Sequence, residues 1–326
     1  MIRTLVGLLW GPGPITLVQE LFGPAWYPVF NSIALLGDIQ VVVFLGAVRL
    51  WMMGVRAAYS LVATVLLAGI VNHLMMRAFG VPRPYAPEIV AHLQIGIPSF
   101  PSGHTVTATV TWGLLSMWGL IPRSLAAVIV AGVMVSRLYL GIHYLADVLG
   151  GAALGLIVLA LYLPLSPAIV RWFSRRSSRF FAVLGTVTVV AVVAVFPVFS
   201  DLLSGWQTLG ALAGAGIAIP LQHRYVRYSP GTTPLRRQGV RLLLGLAGLV
   251  GLLLPGLLIG DSAPVLGAVS YALAAIWALL IAPPVFTRLG LAPRTERPRG
   301  LRDRDPDAPS AGTTRPLAER IERSGS

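Results

Sequence analysis

The 326 residues are 56% hydrophobic and only 11% charged, with a mean hydropathy of +0.78, which excludes an ordinary soluble domain and points to a bilayer. There is no cysteine, so a disulfide framework and a cysteine zinc or redox site are excluded, and five histidines with few clustered carboxylates offer little for a metal cage. No metal and no cofactor are expected. The formal charge of +13 rests on 25 basic residues, every one an arginine, set in short gaps between apolar runs and in the C-terminal stretch. That distribution fits membrane topology, and no nucleic-acid partner is expected.

In chain order, residues 1–28 open with MIRTLVGLLW and GPGP. Gly11 to Pro14 interrupt the apolar stretch and no small-residue cleavage site follows, so an interfacial segment is expected rather than a cleaved signal. Apolar runs long enough to span follow at 29–50, 57–78, 103–120, 123–141, 144–166, 180–200, 203–222, 240–260 and 263–286. Lipid offers no partners to free backbone groups, so these runs are expected to be helices. The fold class is therefore all-α, a polytopic membrane bundle of about nine transmembrane helices. Residues 29–170 form its core, 171–286 add helices of unknown role, and 287–326, rich in Arg, Asp, Glu, Pro and Ser, form a disordered cytoplasmic tail.

If the spans alternate, Arg49, Arg56, Arg123, the segments 171–179 and 223–241 and the tail after Arg288 share one side, which should be cytoplasmic. The other side receives the gap 79–102, the turn near 142, and the gaps holding Asp201 and Asp261. Apart from Arg3, the cations expected there are Arg77, Arg83 and Arg137, and their common depth suggests one shared anionic ligand, most simply a phosphate.

Three local patterns face that side: VPRPY at 81–85, PSGHT at 101–105 and SRLYLGIHYLAD at 136–147. His143 and Asp147 are four apart, so a helix beginning near Ile142 would put both on one face. The carboxylate then takes the proton of one ring nitrogen and leaves the other as an oriented nucleophile. Ser102 and Gly103 stand at an expected helix start, where free N–H groups favour an anion. His104 follows in the first turn with a pKa range suited to protonating a leaving alkoxide. Pro82 and Pro84 restrain the chain around Arg83.

These residues resemble the type 2 phosphatidic acid phosphatase and vanadium haloperoxidase superfamily, whose signature is Lys-x6-Arg-Pro, then Pro-Ser-Gly-His, then Ser-Arg-x5-His-x3-Asp. The second part is complete at Pro101, Ser102, Gly103 and His104, and the third at Ser136, Arg137, His143 and Asp147. The resemblance covers residues 30–166. It implies that His143 attacks phosphorus, Asp147 orients it and His104 protonates the leaving group, while Arg83, Arg137, Ser102 and the Gly103 backbone hold the phosphate. A metal-independent lipid phosphate phosphatase of the cell membrane is thereby implied, with its site on the extracytoplasmic side. The first part departs from the pattern, because Met76 stands where the lysine should. Arg77, one position along, is the candidate substitute.

Glu88 and His92 are expected in a solvated loop, and Asp38, within an apolar run, to bond a neighbouring helix. Gly151 and Gly155 are expected to pack helices, His73 to be structural, and His223 to lie away from the site. The expected activity is hydrolysis of a membrane lipid phosphate or polyprenyl (di)phosphate through phosphohistidine. Competing readings are a lipid phosphotransferase and a non-catalytic lipid-binding or transport protein. Nothing in the motifs reads the lipid, and a homodimer is compatible with the additional helices.

Overall fold

A computed structural model describes residues 2–93, 95–199, 206–226, 228–259 and 262–293; Asp201, Asp261 and the tail from 294 lie outside the described residues. Among the described residues every regular element is helical. Two short helices, α1 (Ile2–Trp10) and α2 (Gly13–Phe22), part at Gly11 and Pro12. There follow α3 (Tyr27–Ala34), α4 (Ile39–Met53), α5 (Val55–Phe79), α6 (Gly103–Met117), α7 (Arg123–Tyr139) and α8 (Leu145–Ser174). Then come α9 (Ser178–Phe199), α10 (Trp206–Tyr225), α11 (Leu235–Ile259), α12 (Pro264–Ile276) and α13 (Ala282–Arg288), the last two joined by a π-helical turn at Trp277–Ile281.

Each apolar run contains a helix, though fewer than nine meet the length and hydropathy of a full span by themselves. Among the described residues, four helical stretches are long and apolar enough to cross a bilayer: Ala57–Phe79, Leu145–Ile169, Leu235–Leu258 and Pro264–Arg288. A fifth is the pair Pro24–Gly37 and Ile39–Met53, bent by 53°. The run at 29–50 is thus not one straight helix. A 3₁₀ turn at Leu35–Gly37 closes α3, and Asp38 restarts the chain by accepting the Gln40 N–H at 3.1 Å. Trp112 of α6 holds the break open by donating Nε1–H to the Leu36 carbonyl at 2.8 Å. The chain also stays packed past 286, because Phe286 is fully buried and Ala292 is 4% exposed. The expected tail therefore begins too early.

Between lipid-exposed helices close approach replaces water exclusion as the source of cohesion. One apolar cluster joins α4, α5, α6 and α8 through Val42, Leu61, Val65, Val110 and Leu154. Another fastens the later helices to α4: Trp51 is fully buried, donates Nε1–H to the Ala278 carbonyl at 3.0 Å, and accepts Tyr228 Oη–H on its own carbonyl at 2.7 Å. The additional helices are thus docked on the same α4 that begins at Asp38.

Candidate active site

The loop 80–102 is shaped by its ends. Gly80, left-handed at φ 60°, terminates α5 by donating to the Met76 carbonyl at 3.0 Å. Ser99 then ties the two limbs together, its N–H to the Val81 carbonyl at 2.8 Å and its hydroxyl to that of Pro82 at 3.2 Å. Between them Arg83 is drawn inward and is 9% exposed. Its Nε donates to the Ile97 carbonyl at 2.9 Å, and its Nη1 to that of Ile142 at 2.8 Å. The same Nη1 lies 3.3 Å from His143 Nε2.

His143 does not sit on the helix with Asp147, as the four-residue spacing predicts. α8 starts at Leu145, and Asp147 in its first turn folds back on the residues before it. Its Oδ2 accepts the Tyr144 N–H at 2.8 Å and lies 3.3 Å from His143 Nδ1, while Oδ1 accepts the Ser99 hydroxyl at 3.3 Å. Asp147 is fully buried and His143 is 3% exposed. A carboxylate can only accept, so Nδ1 carries the ring proton and the Nε2 lone pair faces the Arg83 guanidinium. Burial pushes the imidazole down to about 4, with the nearby Arg83 charge working in the same direction against the pull of Asp147. The ring is neutral at neutral pH.

Ser102 is the N-cap of α6, with Gly103 as its first residue. The Ser102 N–H donates to the Asp147 carbonyl at 3.0 Å, so the start of α6 and the first turn of α8 are fixed to one another. His104 projects from this first turn with Nε2 3.7 Å from Asp38 Oδ2. Arg137, near the end of α7, is 3% exposed, has no partner for Nε among the described residues, and interacts electrostatically with His104, His143 and Asp38. A guanidinium buried this way calls for an anion.

The remaining candidates disperse. Arg77 is exposed on α5 while Met76 is buried at 5%, so the two side chains leave the helix on different faces. Glu88 is exposed, and His92 packs between the rings of Tyr27 and Tyr139 at 4.9 and 5.5 Å. His73 is half-buried within α5, and His223 packs on Phe181 at 4.5 Å. Asp38 is the residue whose expected structural role understates its position, because it reaches His104. Its signal was a carboxylate interrupting an apolar run. Ser99 had no signal, since its contact with Asp147 crosses 48 residues.

Gly151 lets α8 lie against this site: a Cβ there would stand 2.7 Å from the Ser102 carbonyl oxygen. Gly155 lies against Thr109 in the same way, with a Cβ placed 2.6 Å from the Thr109 Cβ. Gly151→Leu is expected to lower the thermal unfolding temperature in detergent by overpacking worth ~1–3 kcal/mol and to cut turnover by displacing Ser102. Unchanged unfolding and turnover in that variant would remove the close helix contact from the account.

Buried guanidinia around a neutral imidazole, opened at a helix N-terminus within an apolar bundle, are what a membrane protein that handles phosphate needs. Comparison with known proteins gives the family. Residues 57–171 match the PAP2 superfamily, and residues 206–294 match the transmembrane extension of PAP2 superfamily phosphatases. A putative undecaprenyl-diphosphatase of Escherichia coli is 32% identical over 149 residues, 44% of this chain and 75% of the relative. Phosphatidylglycerophosphatase B of Bacillus subtilis is 33% identical over 93 residues, 25% of this chain and 42% of that protein, so less than half of its length is matched. The crystal structure of a PAP2-type phosphatidylglycerolphosphate phosphatase of Bacillus subtilis aligns over 48% of this chain and 85% of its own, at 24% identity and a TM-score of 0.42. The chain belongs to the PAP2 superfamily and is a multi-pass membrane protein, and the relatives it matches are phosphatases by name.

Proposed function

We propose that this protein hydrolyses a phosphomonoester or diphosphate on a membrane lipid through a phosphohistidine at His143. The observation that carries the reading is the alignment of Asp147, His143 and Arg83, in which one ring nitrogen is held by a carboxylate and the other points at a guanidinium 3.3 Å away. A phosphate oxygen bound by Arg83 brings phosphorus next to the Nε2 lone pair. That pair forms the N–P bond as the P–O bond to the lipid breaks, and the leaving oxygen takes its electrons and a proton from His104. Water, deprotonated by His104, then cleaves the N–P bond, releases phosphate and restores the imidazole.

Arg83, Arg137, the Ser102 side chain and the Gly103 N–H hold the phosphoryl oxygens as charge redistributes. Asp38 orients His104 and stabilises its protonated form. The names of the relatives point to a polyprenyl diphosphate or phosphatidylglycerol phosphate as substrate class. The arginine asymmetry supports an extracytoplasmic site in the cell membrane, with the nine apolar runs as spans and the tail in the cytoplasm. The regions 1–28, 29–170 and 171–286 are read as interfacial segment, phosphatase core and supporting bundle.

The test is phosphate release by the detergent-solubilised protein across phosphatidic acid, phosphatidylglycerol phosphate, and polyprenyl monophosphate and diphosphate. Release from at least one is expected, and release from none overturns the reading. The pH dependence follows from the depressed histidine. Protonation removes the Nε2 lone pair, so activity is lost as pH falls through the His143 pKa, and the acid limb of kcat/KM lies nearer 4 than the ordinary 6.5. An acid limb at the ordinary value contradicts the assignment of His143 as a buried, neutral nucleophile.

A further inference from the structure

Met76 occupies the position where the family pattern carries a lysine, and Arg77 leaves α5 on another face. One turn earlier on the face that Met76 shares stands Asn72, 5% exposed. Its Nδ2 meets Met76 Sδ at 3.3 Å, and its Oδ1 has no partner among the described residues. Thioether sulfur is a weak acceptor, so it is the Nδ2 donor that is poorly satisfied here and open to a stronger acceptor, whereas the Oδ1 carbonyl, itself an acceptor, does not call for an anion. The same amide lies at the mouth of α6, since a Cβ built on Gly103 would stand 3.3 Å from Asn72 Nδ2. Gly103 opens the helix end beside Ser102 and His104, where free N–H groups favour an anion.

We propose that Asn72 is a phosphate-binding residue, its amide donating to the phosphate oxygen that a lysine at position 76 would otherwise hold. The inference rests on the reading of the site given under Proposed function and adds one contact to it. Exchanging the sulfur of Met76 for an anionic oxygen converts a weak hydrogen bond into a charge-assisted one. A neutral amide supplies direction without charge. The site therefore holds one cation fewer than the family pattern, and lysine restored at 76 should tighten the hold on phosphate.

The experiment compares the full chain with Asn72→Ala, Met76→Lys and the double variant Asn72→Ala/Met76→Lys. Two readouts are taken: KM for a lipid phosphate, and the concentration of orthovanadate that protects against thermal unfolding. Asn72→Ala is expected to raise both about tenfold, the equivalent of ~1.4 kcal/mol. Met76→Lys is expected to lower both, and the double variant to recover most of the loss. Asn72→Ala with unchanged KM and unchanged vanadate protection overturns the inference. If Asn72→Ala does not fold, the double variant is compared with Met76→Lys alone: vanadate protection several-fold weaker in the double variant supports the inference, and equal protection in the two overturns it. His143→Ala separates the two levels, because loss of turnover there alongside a normal Asn72→Ala leaves the catalytic reading standing and removes only Asn72.

Discussion

His143→Ala is expected to lower phosphate release by about 10⁴-fold or more while the protein stays folded, since removing the nucleophile leaves only binding and electrostatic stabilisation. The size of the effect follows from how completely the site is organised around this ring. Asp147 fixes Nδ1 and is itself held by the Tyr144 N–H and the Ser99 hydroxyl, and Arg83 stands at Nε2. His143→Gln keeps the volume and one polar contact without a comparable nucleophile, so it should be as inactive as alanine. Turnover near that of the unaltered protein in either variant, measured as phosphate released from detergent-solubilised protein, would remove His143 from the chemistry.

His104→Ala is expected to lower turnover of a lipid phosphomonoester by about 10²–10⁴-fold, the range of a positioned general acid. An alkoxide leaves poorly without a proton, whereas p-nitrophenolate leaves well unaided. The first half-reaction of His104→Ala should therefore be nearly normal with p-nitrophenyl phosphate. Hydrolysis of the phosphoenzyme, which needs His104 as base, stays slow with either substrate. A burst of p-nitrophenolate followed by slow turnover is the expected trace. An equal loss of the first step with both substrates would assign His104 to phosphate binding instead. Asp38→Asn should follow the same leaving-group pattern more weakly, because Asp38 acts only through the imidazole 3.7 Å away.

The helices were legible because an apolar run long enough to span is a local property, and each run in the sequence does contain a helix. The break between α3 and α4 was not. Leu35 and Leu36 are as apolar as their neighbours, and the turn depends on Asp38 capping the next helix and on Trp112 bonding back across 76 residues. The packed stretch to Ala292 was hidden for a similar reason: residues 287–292 are few and lead straight into a stretch rich in proline and arginine, so they look like tail until the rest of the bundle covers them.

The site divides along the same line. His143 with Asp147, and Ser102 with Gly103 and His104, are close in sequence, and their spacing carried the reading. Even so, the helix start was misplaced by three residues, because the sequence does not say that Asp147 caps the residues before α8 rather than sharing a helical face with His143. Contacts between distant segments left no trace: Ser99 with Asp147, Asp38 with His104, Asn72 beside Gly103. Arg77 shows the converse error. Adjacency to Met76 suggested a substitute ligand, but one step along a helix turns a side chain by about 100°, and the arginine is exposed.

The most direct measurement is to trap the covalent intermediate. His104→Ala mixed with p-nitrophenyl phosphate, quenched during the slow phase at alkaline pH and digested, should yield a single phosphorylated peptide containing His143, with the phosphoryl group on Nε2. A phosphoryl group on any other residue, or a burst of p-nitrophenolate with no phosphorylated peptide, would contradict catalysis through His143.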